Sequence, residues 1–213
     1  MAYIGLKYFV FAPITAEADG SDPTYSAGAV VGKAIGADVT WNHNDNILRA
    51  DDGDAESDNS ITGGTINIDM DDLTLENRAV ILGGYTDSGD VYYDTAAPGP
   101  YGGFGYIREV RYGGGQTRFD AFWCYKTSFV MEDDSASTMA ETIEWQTPKL
   151  VGRIMGGQFA NSSAAGGHAI YRAVKSFETY ATAKAWIDGK AGITAAATTG
   201  TNTNTQTGQT GSP

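Results

Sequence analysis

The chain has 213 residues, and its 26 acidic and 14 basic side chains give a formal net charge of −12. This length permits one domain with a substantial core. The acidic balance excludes a protein that holds nucleic acid by neutralising phosphates, and equally one that docks on an anionic membrane. A single cysteine, Cys124, excludes an internal disulfide. Together with only two histidines, it falls short of the ligands of a structural zinc site.

Membrane insertion and secretion find no support in the sequence. No apolar run approaches the roughly 20 residues that cross a bilayer. The N-terminus lacks a basic stretch ahead of an apolar block, so we expect no signal peptide. We therefore expect a soluble protein made in a reducing compartment. The 28 glycines and the low charged fraction of 19% favour strands joined by turns.

Four segments alternate apolar and polar residues with period two, which predicts half-buried antiparallel strands at 35–41, 65–70, 118–126 and 142–147. Their predicted inward faces are Ile35, Ala37, Val39 and Trp41; Ile66, Ile68 and Met70; Phe119, Ala121, Trp123 and Tyr125; Ile143 and Trp145. Weaker strand patterns cover 6–12, 105–112, 149–155 and 169–174. The glycines at 113–115 lie between two aromatic-rich strands and predict a hairpin.

Two segments have helical spacing instead. The first spans 73–82, with Asp72 or Thr74 as its N-cap and a glycine pair as its end. The second spans 177–188, with Ser176 as N-cap and Gly189 as the stop. After these, residues 191–213 carry no charged side chain and alternate Thr with Asn, Gln and Gly. We predict a folded domain over 1–190 and a low-complexity tail or linker over 191–213.

The strongest local feature is an acidic block over residues 51–72, which contains no Lys or Arg. Its members are Asp51, Asp52, Asp54, Glu56, Asp58, Asp69, Asp71 and Asp72. An EF-hand that starts at Asp52 would need Gly at its sixth and Glu at its twelfth position, but Ser57 and Gly63 stand there. An irregular calcium site and paired catalytic carboxylates stay open as alternatives. The other two interpretations are a solvated loop and a loop that reaches a neighbouring copy.

Enzyme motifs are not met. The segment 28–34 resembles a phosphate loop, but it has one residue too few between its glycines, and Ala34 replaces the metal-binding hydroxyl. No Gly-x-Ser-x-Gly motif occurs. Cys124 lies in the middle of a predicted strand, which favours a buried structural thiol. His43 and His168 lie in turn-like segments. We therefore expect no enzyme activity, no cofactor and no metal site.

The order of these features resembles the major tail protein, or tail tube protein, of long-tailed bacteriophages with non-contractile tails. The resemblance covers roughly residues 3–188. It rests on an N-terminal strand at 4–14, the acidic segment 48–56, the strand 64–70, and a short helix ending at Leu82 and Gly83. Segments 100–106, 123–126 and 143–148 follow in the order seen in the family.

The resemblance implies an antiparallel β-sandwich or small β-barrel with a short flanking helix, beside the second, C-terminal helix. It implies a structural virion protein that is assembled in the host cytoplasm. Its copies would form rings, hexameric in the family, that stack into a tube through which the genome leaves. The implied partners are further copies of the chain and the tail terminator, tape measure and baseplate-type proteins of the same virion. DNA would pass through the lumen without specific binding, since an acidic lumen repels phosphates.

The segment from about Asn42 to Gly63 is the candidate inter-subunit loop, because long ordered loops in compact domains are usually functional. Its candidate contact residues are Arg49, Asp51, Asp52, Asp54, Glu56 and Asp58. Arg49, its only basic residue, would pair with acidic groups of the next copy. The alternative function is a carbohydrate-binding or calcium-stabilised β-sandwich module. That alternative rests on the acidic block and on predicted exposed aromatics: Trp41, Tyr92, Tyr93, Tyr101 and Tyr112.

Overall fold

A computed structural model of the chain describes residues 2–18, 21–50, 53–94, 99–131, 146–157 and 170–193. The strands are β1 (Ala2–Ala16), β2 (Thr24–Tyr25), β3 (Ala29–Gly32), β4 (Ala34–His43), β5 (Asn46–Ala50), β6 (Gly53–Asp58), β7 (Ile61–Met70), β8 (Tyr85–Asp87), β9 (Asp90–Tyr92), β10 (Gly102–Arg111), β11 (Thr117–Met131), β12 (Lys149–Met155) and β13 (Arg172–Phe177). The helices are α1 (Leu75–Leu82) and α2 (Tyr180–Ala191). Among the described residues, neither helix is long and apolar enough to cross a membrane.

The predicted mainly-β antiparallel fold with two helices is confirmed. Nine strands form one sheet, whose main order is β2-β1-β10-β11-β12-β7-β4, with β13 joined to β11 and β3 joined to β1. The hairpins β5–β6 and β8–β9 are separate two-stranded sheets. Across the described segments the strands do not close into a barrel, so the architecture is that of a sandwich.

Strand β11 organises the sheet because it pairs with three strands. One edge pairs with β10. The other edge pairs with β13 along residues 119–124 and with β12 along residues 126–131. The sheet then folds over, so that Ile66 and Ile68 of β7 pack in the same core as Phe9 of β1 and Phe104 of β10. The predicted inward set of β7 is confirmed, since Ile66, Ile68 and Met70 are fully buried.

Helix α2 covers the opposite face of the same sheet. Its residues Ala183, Ile187 and Ala191 pack with Trp123 and Tyr125 in a second core. The predicted apolar face of β11 therefore contacts the helix, while Phe122 and Cys124 between those residues belong to the first core. Both faces of this strand are buried, whereas the alternating pattern predicted a half-buried one.

A polar contact fastens α2 to β1. The almost buried carboxylate of Asp188 accepts hydrogen bonds from the Tyr8 hydroxyl and, at 2.6 Å, from Lys184 Nζ. Tyr8 has a φ of 65°, and it lies where β1 carries one residue more than β10 between paired positions. Burial and the hydrogen bond to Asp188 raise the pKa of Tyr8. The hydrogen bond to Asp188 also raises the pKa of Lys184.

The helix boundaries were predicted with mixed success. Thr74 caps α1, and its hydroxyl accepts from the backbone N–H of Asn77, as one of the two predicted caps requires. The predicted start of α2 is wrong, because residues 172–177 pair with β11 and the cap is Thr179. The helix also continues past Gly189 to Ala191, and its C-cap is Gly192. The predicted domain boundary at 190 therefore falls inside α2, and 194–213 lie outside the described residues.

Most weaker strand predictions are confirmed. The segments 6–12 and 149–155 fall in β1 and β12, while 105–112 and 169–174 overlap β10 and β13. The predicted hairpin closes between Tyr112 N and Gln116 O at 2.8 Å. The predicted inward position of Ile35 is wrong, because a register shift beside it leaves the side chain 54% exposed. The strand predicted at 142–147 lies outside the described residues up to position 145.

Candidate assembly interface

The predicted inter-subunit loop is an antiparallel hairpin rather than an irregular loop. Strands β5 and β6 pair from Asn46 opposite Asp58 to Ala50 opposite Gly53. The hairpin is joined to the sheet at its base, where Asn44 N donates to Ser60 O at 2.7 Å. Beyond that base it pairs with no other strand in the described part of the chain. It is therefore an extension of the β4–β7 ladder.

The candidate residues of this hairpin occupy defined register positions. Arg49 of β5 lies opposite Asp54 of β6, and Leu48 lies opposite Glu56. Asp58 closes the base of the hairpin opposite Asn46. Asp51 and Asp52 lie outside the described residues. The structure thus brings Arg49 and Asp54 together on paired strands. Leu48 and Ala50, followed by an Asp-Asp-Gly run, were a hairpin signal that the acidic composition obscured.

The remaining acids of the block, Asp69, Asp71 and Asp72, lie in or directly after β7. Asp69 lies in β7, opposite Gly36 of β4. Asp71 pairs with Lys33 at 3.1 Å, and its Oδ1 accepts the Lys33 backbone N–H at 2.8 Å. That backbone hydrogen bond is the main cause that lowers the pKa of Asp71. The Asp71 carboxylate thus links the residue before β4 to the residue after β7.

Unpaired strand edges are the second feature that another copy of the chain could contact. The outer edges of β4 and β13 have no strand partner among the described residues. Residues 2–7 of β1 pair with β10 on one edge, and their other edge also lacks a partner there. Large apolar side chains lie exposed on these strands: Tyr3, Ile4, Ile35 and Val174, with 47–61% of their surface accessible. An edge with free N–H and C=O groups can accept a strand of another molecule.

The other candidate sites do not form clusters. No group of three His, Cys, Asp or Glu in the described ranges is placed to hold a metal ion. His43 is exposed in β4, and His168 lies outside those ranges. Cys124 is fully buried, and burial raises the pKa of its thiol to about 12. The phosphate-loop-like segment is the strand β3 with flanking residues.

The exposed aromatics of the alternative function are distributed over separate contacts. Tyr92 stacks on Tyr85 at 5.2 Å within the hairpin β8–β9. Trp41 is half-buried against Tyr171 at 4.8 Å. Tyr101 lies under the ammonium of Lys126 at 4.6 Å. In the described part of the chain, only Tyr92 of these predicted aromatics belongs to a stacked pair, and they do not form a continuous aromatic platform.

Comparisons with known proteins give no family assignment. A scan against protein-family models finds no match for this chain, and a search of curated proteins finds no match either.

Proposed function

We propose that this chain is a self-assembling structural protein whose copies form rings that stack into the tail tube of a long-tailed bacteriophage. The observation that carries the proposal is the combination of a projecting hairpin with unpaired strand edges on a mainly-β fold. The hairpin and the strand edges can each pair with a strand of a second copy. The order of sequence motifs adds support, because it resembles the tail tube family over most of the chain.

The unlike strand edges of the fold are compatible with ring formation. The edges of β4, β13 and the start of β1 belong to different parts of one sheet, so contact between two different edges is head-to-tail. Head-to-tail contacts close into rings when the rotation between copies permits it. A ring stack remains open along its axis and grows until another protein ends it. Tail terminator, tape measure and baseplate-type proteins are the partners proposed for that role.

The charge of the chain fits a conduit. With a net charge of −12 per copy, a ring repels DNA phosphates at short range. DNA can then slide through the lumen without being held, because retention needs clustered basic groups. A lumen lined mainly by Lys and Arg would contradict this part of the proposal.

Negative-stain electron microscopy of the purified protein tests the proposal directly. Rings or long tubes are expected. A monodisperse monomer whose melting temperature rises with calcium would instead support the alternative β-sandwich module.

A deletion tests the role of the hairpin in assembly. Removal of residues 51–60 should abolish tube growth and leave a soluble monomer, because in the described residues β6 pairs with no strand other than β5. Removal of residues 87–90 from the exposed hairpin β8–β9 is the matched control and should leave assembly intact. Normal tubes from the first deletion would show that the hairpin is not the assembly arm.

A further inference from the structure

Two half-buried arginines from different strands flank one buried aromatic pair of the first core. Tyr106 of β10, Phe122 of β11 and Val174 of β13 are aligned by their register, so their side chains share a face. The rings of Tyr106 and Phe122 stack at 4.8 Å with an angle of 9° between their planes. Arg108 and Arg172 belong to the rows on either side of this pair. We call Tyr106, Arg108, Phe122, Arg172 and Val174 the arginine platform.

Both guanidinium groups contact the aromatic rings. Cζ of Arg108 lies 5.2 Å from the ring centroid of Phe122, and Cζ of Arg172 lies 5.3 Å from the same centroid. Arg108 also contacts Tyr3 at 5.2 Å, and Arg172 contacts Trp41 at 4.7 Å. A stacked guanidinium keeps the N–H groups of its edge available for a planar acceptor. Such ring contacts hold a cation through its face and do not themselves use its hydrogen-bond donors.

Neither cation has an anionic partner among the described residues. Among the residues whose side chains the structure describes, a set that leaves out 46–58, no carboxylate lies within ion-pair distance of Arg108 or Arg172, although Asp120 is opposite Arg108 on the neighbouring strand. The Nε of Arg172 and the hydroxyl of Tyr106 are buried and make no hydrogen bond in the same part of the chain. Two half-buried guanidinium groups without a carboxylate are unusual in a chain with nearly twice as many acids as bases.

We propose that the arginine platform binds carboxylates of the β5–β6 hairpin of a second copy of this chain. Charge complementarity carries the assignment, because β6 contains Asp54, Glu56 and Asp58 and is the most acidic strand of the structure. Carboxylates form paired hydrogen bonds with a guanidinium edge. In the described residues the hairpin forms no sheet with the rest of its own chain, so the backbone edges of β5 and β6 have no further strand partner there. This inference rests on the proposed self-assembly and names the partner surface of the hairpin.

Charge reversal in two separate copies distinguishes a contact between copies from one within a copy. The platform variant carries Arg108→Glu and Arg172→Glu, and the hairpin variant carries Asp54→Lys and Glu56→Lys. Each variant alone places like charges at the contact, so we expect self-association at least about tenfold weaker than for the native chain, or about 1.4 kcal/mol. An equal mixture of the two variants restores opposite charges at both contacts. The acidic platform of the first variant meets the basic hairpin of the second, and the native platform of the second meets the native hairpin of the first. We expect the mixture to assemble.

The matched control keeps the same strands and the same charge change. Arg111→Glu on β10 with Lys175→Glu on β13 reverses two exposed cations outside the platform and should leave assembly unchanged. Thermal melting of every variant confirms that it is folded. Recovery only when all four platform and hairpin changes are in one chain would overturn the proposal in favour of a contact within the copy. DNA retention that the platform variant loses would overturn it in favour of a nucleic-acid site.

A cross-link separates this inference from the proposed tube. One copy carries Val174→Cys at the platform and the other carries Asp54→Cys in the hairpin, while the native Cys124 is buried. Mild oxidation should join them at least about tenfold more than a pair with Val130→Cys, which is exposed at the other end of β11. A specific link without rings would retain the platform contact and reject the tube. Rings without the link would retain the tube and reject the platform.

Discussion

Gly103 is the glycine at which the structure leaves the least room for a side chain. This residue is buried in β10, and its backbone lies against the ring of Trp123. A Cβ at this position would overlap the six-membered ring of Trp123 and would lie 2.8 Å from Cε1 of Tyr25. Neither ring is free to withdraw. Trp123 is fully buried, and the Tyr25 hydroxyl donates to Tyr125 O at 2.8 Å.

The substitution Gly103→Ala should therefore lower the free energy of unfolding by about 3 kcal/mol, at the upper end of the usual cost of overpacking. For a chain of this size, that loss corresponds to a melting temperature about 6 to 12 °C lower. Urea denaturation followed by tryptophan fluorescence measures it, with an unchanged dependence on denaturant.

Two glycines of the β10–β11 hairpin are matched controls. A Cβ at Gly113 meets nothing within 4 Å and its φ is not in the left-handed region, so Gly113→Ala should change stability by only about 0.5 kcal/mol. Gly114 is equally open but has a φ of 85°, so Gly114→Ala should cost about 1 kcal/mol from the backbone alone. If Gly103→Ala matched Gly113→Ala in stability, the argument from a confined Trp123 ring would be refuted.

Three further predictions concern a thiol, a helix cap and an ion pair. Cys124 should resist thiol reagents at pH 8 until the chain unfolds. Because burial raises the pKa of its thiol to about 12, the free energy of unfolding should also fall as the pH rises from about 9 to 12. Denaturation at several alkaline pH values measures this fall. Thr74→Ala should lower the free energy of unfolding by about 1 kcal/mol in urea titrations, because the hydroxyl accepts from Asn77 N. The lowered pKa of Asp71 means that its contribution is present above the unfolded pKa and is lost on acidification, so Asp71→Asn should flatten the fall in stability below pH 4.

The sequence predicted strands well where one face alone is buried. Ile66, Ile68 and Met70 alternate with polar residues, and the structure buries them as predicted. The pattern was less informative for β11, because α2 covers a face that a two-layer sandwich would expose. That cover comes from residues about 60 positions later in the chain, so no local pattern reports it.

The errors at Ile35 and at the start of α2 have the same origin. A register shift at the start of β4 turns Ile35 outward, although its place in the alternation is correct. Residues 172–177 form a strand because they pair with β11, although the sequence at 177–179 is typical of the start of a helix. In both cases pairing with a distant strand decides the local conformation, and pairing is not encoded in a short window.

The candidate interface was predicted in part. The acidic composition indicated the hairpin segment, but it favoured a loop over paired strands. The arginine platform has no signal in the sequence, since Arg108 and Arg172 are far apart in the chain and meet only through the register of β10, β11 and β13. Only the sheet places both cations beside one aromatic pair.

The two proposals constrain each other through charge. A tube that lets DNA slide cannot present Arg108 and Arg172 to the lumen, because stacked guanidinium groups are strong phosphate ligands. If the acidic hairpin of the next copy covers them, the cations are neutralised where they would otherwise retain DNA, and the remaining excess of carboxylates faces outward or into the lumen. The same contact that joins copies would then make the conduit non-adhesive. Assembly and passage of the genome would therefore depend on one set of ion pairs.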